Sequence, residues 1–361
     1  MNISQKTLVY PFGRKALPLI AYLLDIGFPK ENLQAVAFSG LGLKGKDVAY
    51  INDGRELGVI VQENFEEALK GCDQLFIMPD YIEETKARII SAMKRALKLG
   101  KEVYCAAELS ELESADLIKI AAGRNNFHYM SKSKFPNNLN KRMYPIKTPV
   151  VLVCDLFGNL SSAEIFLRVI AQFRKNGYNV CGISADHSTS LIGVSNMPDE
   201  FFSKSLAENE KIMQLNYYLH KLEQNDPELD LFVIHAPDGA MMFSKNKPVS
   251  FGVYLYFIST AIPADYTVLS APFNLIVQGR SIDACCTAIE SRFGFKVGAA
   301  VASNVLLNSA EKDVKYIYTD YKQMDTHLND MTSVKPKLFS IAQEDTFLNL
   351  YKDIVHTLSA G

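Results

Sequence analysis

The sequence predicts an α/β protein of two three-layer parallel-sheet domains, a Rossmann-like N-terminal one and a P-loop-NTPase-like C-terminal one. Three observations predict it. Short β-branched or apolar runs alternate with amphipathic stretches at helical spacing along nearly the whole chain, the pattern of repeated βαβ units. Glycines close several helical stretches, at Gly27, Gly71, Gly100 and Gly177. A chain of 361 residues is long enough for two domains that each bury a core. The polar, proline-bearing stretch 131–148 reads as a linker between domains 1–130 and 149–361.

In the first domain, Thr7–Tyr10 is the opening strand and Arg14–Ile26 the helix that Gly27 ends. Leu33–Phe38 is the second strand, and Gly58–Val61 a short third. Asn64–Lys70 reads as a helix and Gln74–Met78 as a strand. Ile82, Ile89, Met93, Ala96 and Leu97 mark a long helix, Glu102–Cys105 a strand, Leu112–Ala122 a helix and Phe127–Met130 a last strand. Gly40, Gly42 and Gly45 spell a literal G-x-G-x-x-G. A dinucleotide fingerprint follows the first strand and opens a helix. This one follows the second strand, and Lys46–Gly54 does not read as a helix. The expected role is conformational, glycines that let a surface loop turn. The functional alternative is a loop closing over a ligand, with Lys44 and Lys46 facing an anion. Lys132, Lys134, Lys141 and Arg142 in the linker read as solvated surface.

The second domain opens on Val150–Arg168, a buried strand, a tight loop and an amphipathic helix that Ser161 or Ser162 caps. That is the outline of a phosphate loop, G-x-x-x-x-G-K-[ST]. In the best register Cys154 replaces the first glycine, Asn159 the second and Leu160 the lysine, while Ser161 matches. The missing lysine removes the charge that meets the β- and γ-phosphates, and Asp155 adds charge of the wrong sign. The candidate anion-binding residues are therefore Gly158, Asn159, Ser161 and Ser162, acting through backbone N–H groups at the helix start.

Val180–Ser184 is the next strand. Asp186 just beyond it suits a metal or ligand as well as it suits a helix cap. Ser205–Gln224 reads as a helix. Asp230–Gly239 is a buried strand with His235 where nucleotide enzymes carry the acid that organises Mg²⁺, and Asp238 lies three residues on. Asp186 and Asp238 are the candidate Mg²⁺ ligands. Phe251–Ile262 and Ile282–Phe293 read as helices, Asp265–Ser270 and Lys296–Val305 as strands, Val314–Tyr318 as a short strand and Thr346–Leu358 as a terminal helix.

Composition narrows the function classes. Hydrophobic content of 48% and charge of 22% are those of an ordinary globular protein. A net charge of -2 offers nothing to nucleic acid or an anionic membrane. Lys, Gly and Pro break the first apolar segment and no stretch is long and apolar enough to span a bilayer, so a cytoplasmic protein without a signal peptide is expected. The six cysteines lack metal-ligand spacing and are expected to be reduced.

Two resemblances rest on these residues. The order of Val150–Arg168, Asp186, Val233–Gly239 and Val301–Asn304 resembles the dethiobiotin-synthetase-like branch of P-loop proteins, with the essential lysine missing. It implies ATP or GTP with Mg²⁺ as the cofactor, while the missing lysine speaks against ordinary hydrolysis. Val9–Phe12, Gly40–Asp47, Asp53-Gly54, Glu63–Ala68 and Cys72-Asp73 together resemble a family of peptide-maturation-system proteins that accompany radical enzymes and small Cys-rich precursor peptides. That resemblance implies an accessory or scaffold protein whose partners are a precursor peptide or a radical peptide-modifying enzyme. It brings no catalytic residues. The alternative is an atypical ATP- or GTP-dependent ligase or NTPase, and a third reading is a small-ligand sensor using the Gly40–Gly45 loop.

Overall fold

The apolar runs fall into two separate parallel sheets in a computed structural model that describes residues 5–360 except 80, 131–132, 137–141, 159–160, 243–250, 278–279, 309–314 and 327–335. The chain forms two α/β units whose sheets are flanked by helices. One comprises Met1–Ser131 with Asp186–Val194, the other Lys132–Ala185 with Ser195–Gly361.

The first unit runs β1 (Thr7–Tyr10), α1 (Ala16–Asp25), β2 (Leu33–Val36), β3 (Val61–Gln62), α2 (Phe65–Gly71), β4 (Gln74–Ile77), α3 (Lys86–Lys98), β5 (Glu102–Cys105), α4 (Glu111–Ala121) and β6 (Phe127–Tyr129). The sheet order is β3-β2-β1-β4-β5-β6, every pair parallel. This is the doubly wound Rossmann order, in which the chain reverses direction across the sheet between β1 and β4. Both central strands are buried at every residue, which is why they read as unbroken apolar runs rather than alternating ones. Leu8, Leu75 and Ile77 of the sheet pack with Leu69 of α2 and Ile89, Met93 and Leu97 of α3 in one core. A capping box between Ser110 and Glu113 starts α4. The segment Asp186–Val194 carries a short 3-10 turn, His187–Ile192, that contacts α1.

Two expectations for this unit need correction. Lys46–Gly54 does hold helical structure, a 3-10 helix over Val48–Asn52. One turn is too short to show an apolar period, and it is held instead by Asp47, whose carboxylate accepts the N–H groups of Ala49, Leu57 and Gly58 at 2.8, 3.0 and 2.7 Å. The third strand begins later than expected, at Val61, because Ile60 forms an antiparallel bridge with Asp47 rather than joining the sheet.

The second unit runs β7 (Val150–Asp155), α5 (Ser162–Lys175), β8 (Val180–Ser184), β9 (Ser195–Asn196), α6 (Glu208–Asn225), β10 (Leu231–Gly239), α7 (Val253–Ala261) and β11 (Tyr266–Pro272). It continues with α8 (Phe273–Val277), α9 (Arg280–Phe293), β12 (Val297–Ser303), β13 (Val305–Asn308), β14 (Lys315–Tyr318), α10 (Tyr321–Thr326), β15 (Lys337–Ser340) and α11 (Thr346–Ser359). The main sheet is parallel throughout, in the order β15-β12-β11-β7-β10-β8-β9. β7 is central and buried at every residue, so the loop after it opens between β10 and β11.

The expected strand Lys296–Val305 divides at Asn304. As far as Ser303 it pairs with β11 and β15, and from Val305 it turns into an antiparallel hairpin with β14. β15 was not expected, since Lys337-Leu-Phe-Ser340 is short and only its last residue is buried. Its place is fixed by α11: Tyr266 donates a hydrogen bond to Asp353, and Lys337 forms an ion pair with the same carboxylate. The described residues of 131–148 are pinned to this unit. Asp199 donates to the Ser133 carbonyl, Tyr144 and Asn216 exchange hydrogen bonds, and Glu223 accepts from Lys147 and Thr148.

Candidate functional site

The loop after β7 is tied to β11 and to the residues that follow β10. Beyond Asp155, the Leu156 N–H donates to the Ser270 carbonyl on β11, and the N–H groups of Ala240 and Met241 donate to the carbonyls of Asp155 and Leu156. Gly239 at the end of β10 then lies against Phe157 and Gly158. A Cβ placed on Gly239 would stand 2.4 Å from the Phe157 carbonyl carbon and 2.7 Å from the Gly158 nitrogen. Gly158 itself has φ +77° and would meet the Gly239 nitrogen at 3.1 Å. Two glycines therefore bring two backbones together where neither tolerates a side chain.

At the start of α5 the expected serine cap is replaced. Ser161 occupies the N-cap position but makes no side-chain capping bond. Instead the buried Asp155 carboxylate accepts the Ser162 N–H at 3.2 Å, and the Ser161 N–H donates to Ser270 Oγ at 3.3 Å. A helix start with exposed N–H groups attracts an anion. Here the protein supplies that anion from its own chain.

The Ser162 hydroxyl is engaged as well. Its Oγ lies 2.8 Å from His235 Nε2, and Ser184 Oγ lies 3.2 Å from His235 Nδ1. The ring stacks on Phe166, with centroids 5.4 Å apart. Ser162, Ser184 and His235 are all buried. A neutral imidazole donates at one nitrogen and accepts at the other, so the serine–histidine–serine chain is satisfied by one tautomer. The strand position that holds an acid in Mg²⁺-dependent nucleotide enzymes thus holds a histidine that binds the helix serine directly.

Other expected site residues are placed as follows. Asn159 lies outside the described residues. Asp238 is exposed at φ 60°, in the second unit. Asp186 belongs to the first unit, where its carboxylate caps the 3-10 turn by accepting the Ser188 N–H at 2.9 Å. Among the described residues no three His, Cys, Asp or Glu side chains gather as a metal site. Asn304 is buried between β12 and β13, and its carbonyl accepts from Thr319. Gly40, Gly42 and Gly45 have φ of 91°, 68° and 76°, and a Cβ on any of them would meet nothing within 4 Å. Backbone conformation alone accounts for glycine there. Lys46 Nζ lies 3.5 Å from the Tyr50 ring centroid, and Lys44 is exposed.

The thiols are poorly suited to nucleophilic chemistry. Burial pushes Cys72 and Cys181 up to about 11, and Cys105 and Cys286 up to about 12. Cys154, in the strand that leads into the loop, is raised by burial and then by the adjacent Asp155 charge. Thiols held this high stay protonated near neutral pH, and the thiolate is the reactive form.

Sequence reasoning found Ser162, His235 and the wrong-signed Asp155 separately. It missed Ser184 and the capping role of Asp155. The carboxylate seven residues ahead of an uncapped helix start was the available signal for the latter.

No family model matches this chain, and no curated protein does either. Among solved structures, a DUF1611 family protein from Anabaena variabilis is similar over 98% of this chain and 100% of its own, at 12% identity and a TM-score of 0.61. A plasmid partition protein from Borrelia burgdorferi is similar over 59% of this chain and 99% of its own, at 12% identity and a TM-score of 0.35. The signal recognition particle 54 kDa protein from Aeropyrum pernix, solved with GDP, covers 77% of this chain and 66% of its own at 11% identity and a TM-score of 0.32. The last two likenesses are too low to bear on this chain. The first shows the fold, which this chain shares from end to end with a protein of very different sequence.

Proposed function

We propose that the protein is an accessory or scaffold component of a ribosomal peptide maturation system, acting in the cytoplasm by binding a precursor peptide or its radical modifying enzyme. The observation that supports a non-hydrolytic role is what the loop after β7 already binds. Its helix start carries the Asp155 carboxylate instead of a lysine-held phosphate, and its serine hydroxyl is bound to His235. The assignment to peptide maturation comes from the first-unit motifs, which lie largely at the carboxyl side of that sheet: Tyr10 ends β1, Gly40–Asp47 follows β2, and Asn64 caps α2. That is the side on which open α/β sheets hold their ligands.

The second reading is an atypical ATP- or GTP-dependent enzyme. One observation favours it: the strand, loop and helix stand in the order and the central sheet position of a phosphate site, with the glycine turn of β10 directly beside it. Thermal unfolding with and without Mg²⁺-ATP and Mg²⁺-GTP separates the two. Ligand at about a hundred times its dissociation constant raises stability by roughly 2.7 kcal/mol, a shift of several degrees in a chain of this size. The accessory reading expects no shift with nucleotide and a shift with precursor peptide. Magnesium-dependent turnover lost on Asp238→Ala or Asp186→Ala would overturn it. Asp155→Asn keeps an acceptor for the Ser162 N–H and removes the charge, so inorganic phosphate should bind the variant more tightly than the wild type. Equal affinity would mean that Asp155 does not occupy the anion position.

A further inference from the structure

The first unit has a cavity that the phosphate-loop reading leaves unused. It lies at the carboxyl end of β1, where the strand order reverses toward β4, between the first turn of α2 and one face of α3. Its volume is about 370 Å³, within the range of small-molecule sites. Tyr10 and Phe65 form one wall, with ring centroids 4.6 Å apart. Arg88, Ser91 and Arg95 of α3 and Glu66 of α2 line the rest. Positions 88, 91 and 95 follow helical spacing, so both guanidinium groups come from a single stripe of α3.

The charges are arranged rather than scattered. Arg95 Nε is 2.7 Å from Glu66 Oε2, which fixes one of its donors and orients its planar fork. Arg88 stands over the Phe38 ring, 5.9 Å from its centroid, and Phe38 in turn packs edge-on against Tyr10. Burial raises the Tyr10 phenol, against the opposing pull of Arg88, so the hydroxyl remains a donor near neutral pH. Two cations and one carboxylate line the cavity beside two aromatic rings tilted 45° to each other. The turn after β1, Pro11-Phe-Gly-Arg-Lys15, lacks the glycine triplet that holds a dinucleotide pyrophosphate, so the site is not a dinucleotide crevice.

We propose that this cavity binds a small molecule joining a flat unsaturated ring to a carboxylate or phosphate, the ring against Tyr10 and Phe65 and the anion on Arg88 and Arg95. The inference concerns the first unit alone and stands whether or not the second unit binds nucleotide. The test is calorimetric titration of the full chain, without Mg²⁺, with phenyl phosphate, benzoate and AMP. Saturable binding of at least one probe is expected, weakened about tenfold or more in the Arg88→Ala/Arg95→Ala double variant and less in Tyr10→Phe. Lys70→Ala, an exposed cation outside the cavity, should bind as the wild type does. Preference for phenyl phosphate or for benzoate identifies the anion, and preference for AMP over phenyl phosphate identifies a nucleotide. No saturable binding of any of the three overturns the proposal. So does unchanged affinity in the double variant with its circular dichroism intact.

Discussion

The two glycine-bearing loops use the same residue for opposite reasons. In the Gly40–Gly45 loop each glycine sits in the left-handed region with empty space around its missing side chain. Against the loop after β7, Gly239 at the end of β10 has an ordinary backbone conformation and no room at all. The first loop needs freedom of φ, and its shape is then held by one carboxylate, Asp47, accepting three N–H groups. The second needs two backbones in contact, and its shape is held by neighbouring strands. A G-x-G-x-x-G pattern therefore marked the loop where glycine is least demanding of its neighbours, while the glycine with the strictest packing belongs to no such pattern.

Substitutions at four positions test this contrast. Gly239→Ala should have the largest effect, because a Cβ 2.4 Å from backbone forces the loop or β10 to move. A cost of about 3 kcal/mol or more is expected, read as a fall in the denaturant midpoint. A loss below about 1 kcal/mol would show that the two backbones separate easily. His235→Ala comes next. It opens a cavity under Phe166 and removes the partner of two buried hydroxyls, which should cost about 2–3 kcal/mol. Were His235→Ala near neutral in stability, the serine–histidine chain would not be what holds α5 on the sheet.

Gly42→Ala should cost only about 1–2 kcal/mol, the penalty for a left-handed alanine, and Gly42→Asn less, since asparagine tolerates that region. If Gly42→Ala proved as costly as Gly239→Ala, the contrast between the loops would be wrong. The smallest effect is a pH dependence. Burial opposes ionisation of Glu223, but the N–H groups of Thr148 and Lys147, the Thr148 hydroxyl and the charge of His220 together hold its carboxyl below the ordinary value. A folded value below the unfolded one means that its contribution is complete above the unfolded value, about 4.3, and fades as pH falls through the folded one. Hydrogen exchange at residues 147–148 should rise over that acidic range in the wild type. In Glu223→Gln the rise should be absent, with those amides already less protected at neutral pH.

Much of the architecture was legible because it follows from local chemistry. Buried parallel strands are apolar throughout and their crossover helices repeat near 3.6 residues, so β1, β4, β7 and the helices beside them show in the sequence. The same local logic hid β15, the 3-10 helix over Val48–Asn52 and the break at Asn304. Each is set by partners distant in sequence: Asp353 for β15 through Lys337, Leu57 and Gly58 for the Asp47 hub, and β14 for the hairpin after Asn304.

Side-chain periodicity and residue identity are local properties, and they suffice for a parallel α/β protein whose phosphate-type loop has no lysine. Which groups meet the start of α5 is settled by the fold. Asp155 turns back onto the Ser162 amide, and His235 joins Ser162 to Ser184 across residues separated by 73 and 51 positions. Such contacts depend on which strands lie side by side. That order, β7 between β10 and β11 with β8 beyond β10, is chosen by the packing of the whole sheet rather than by any single stretch of it.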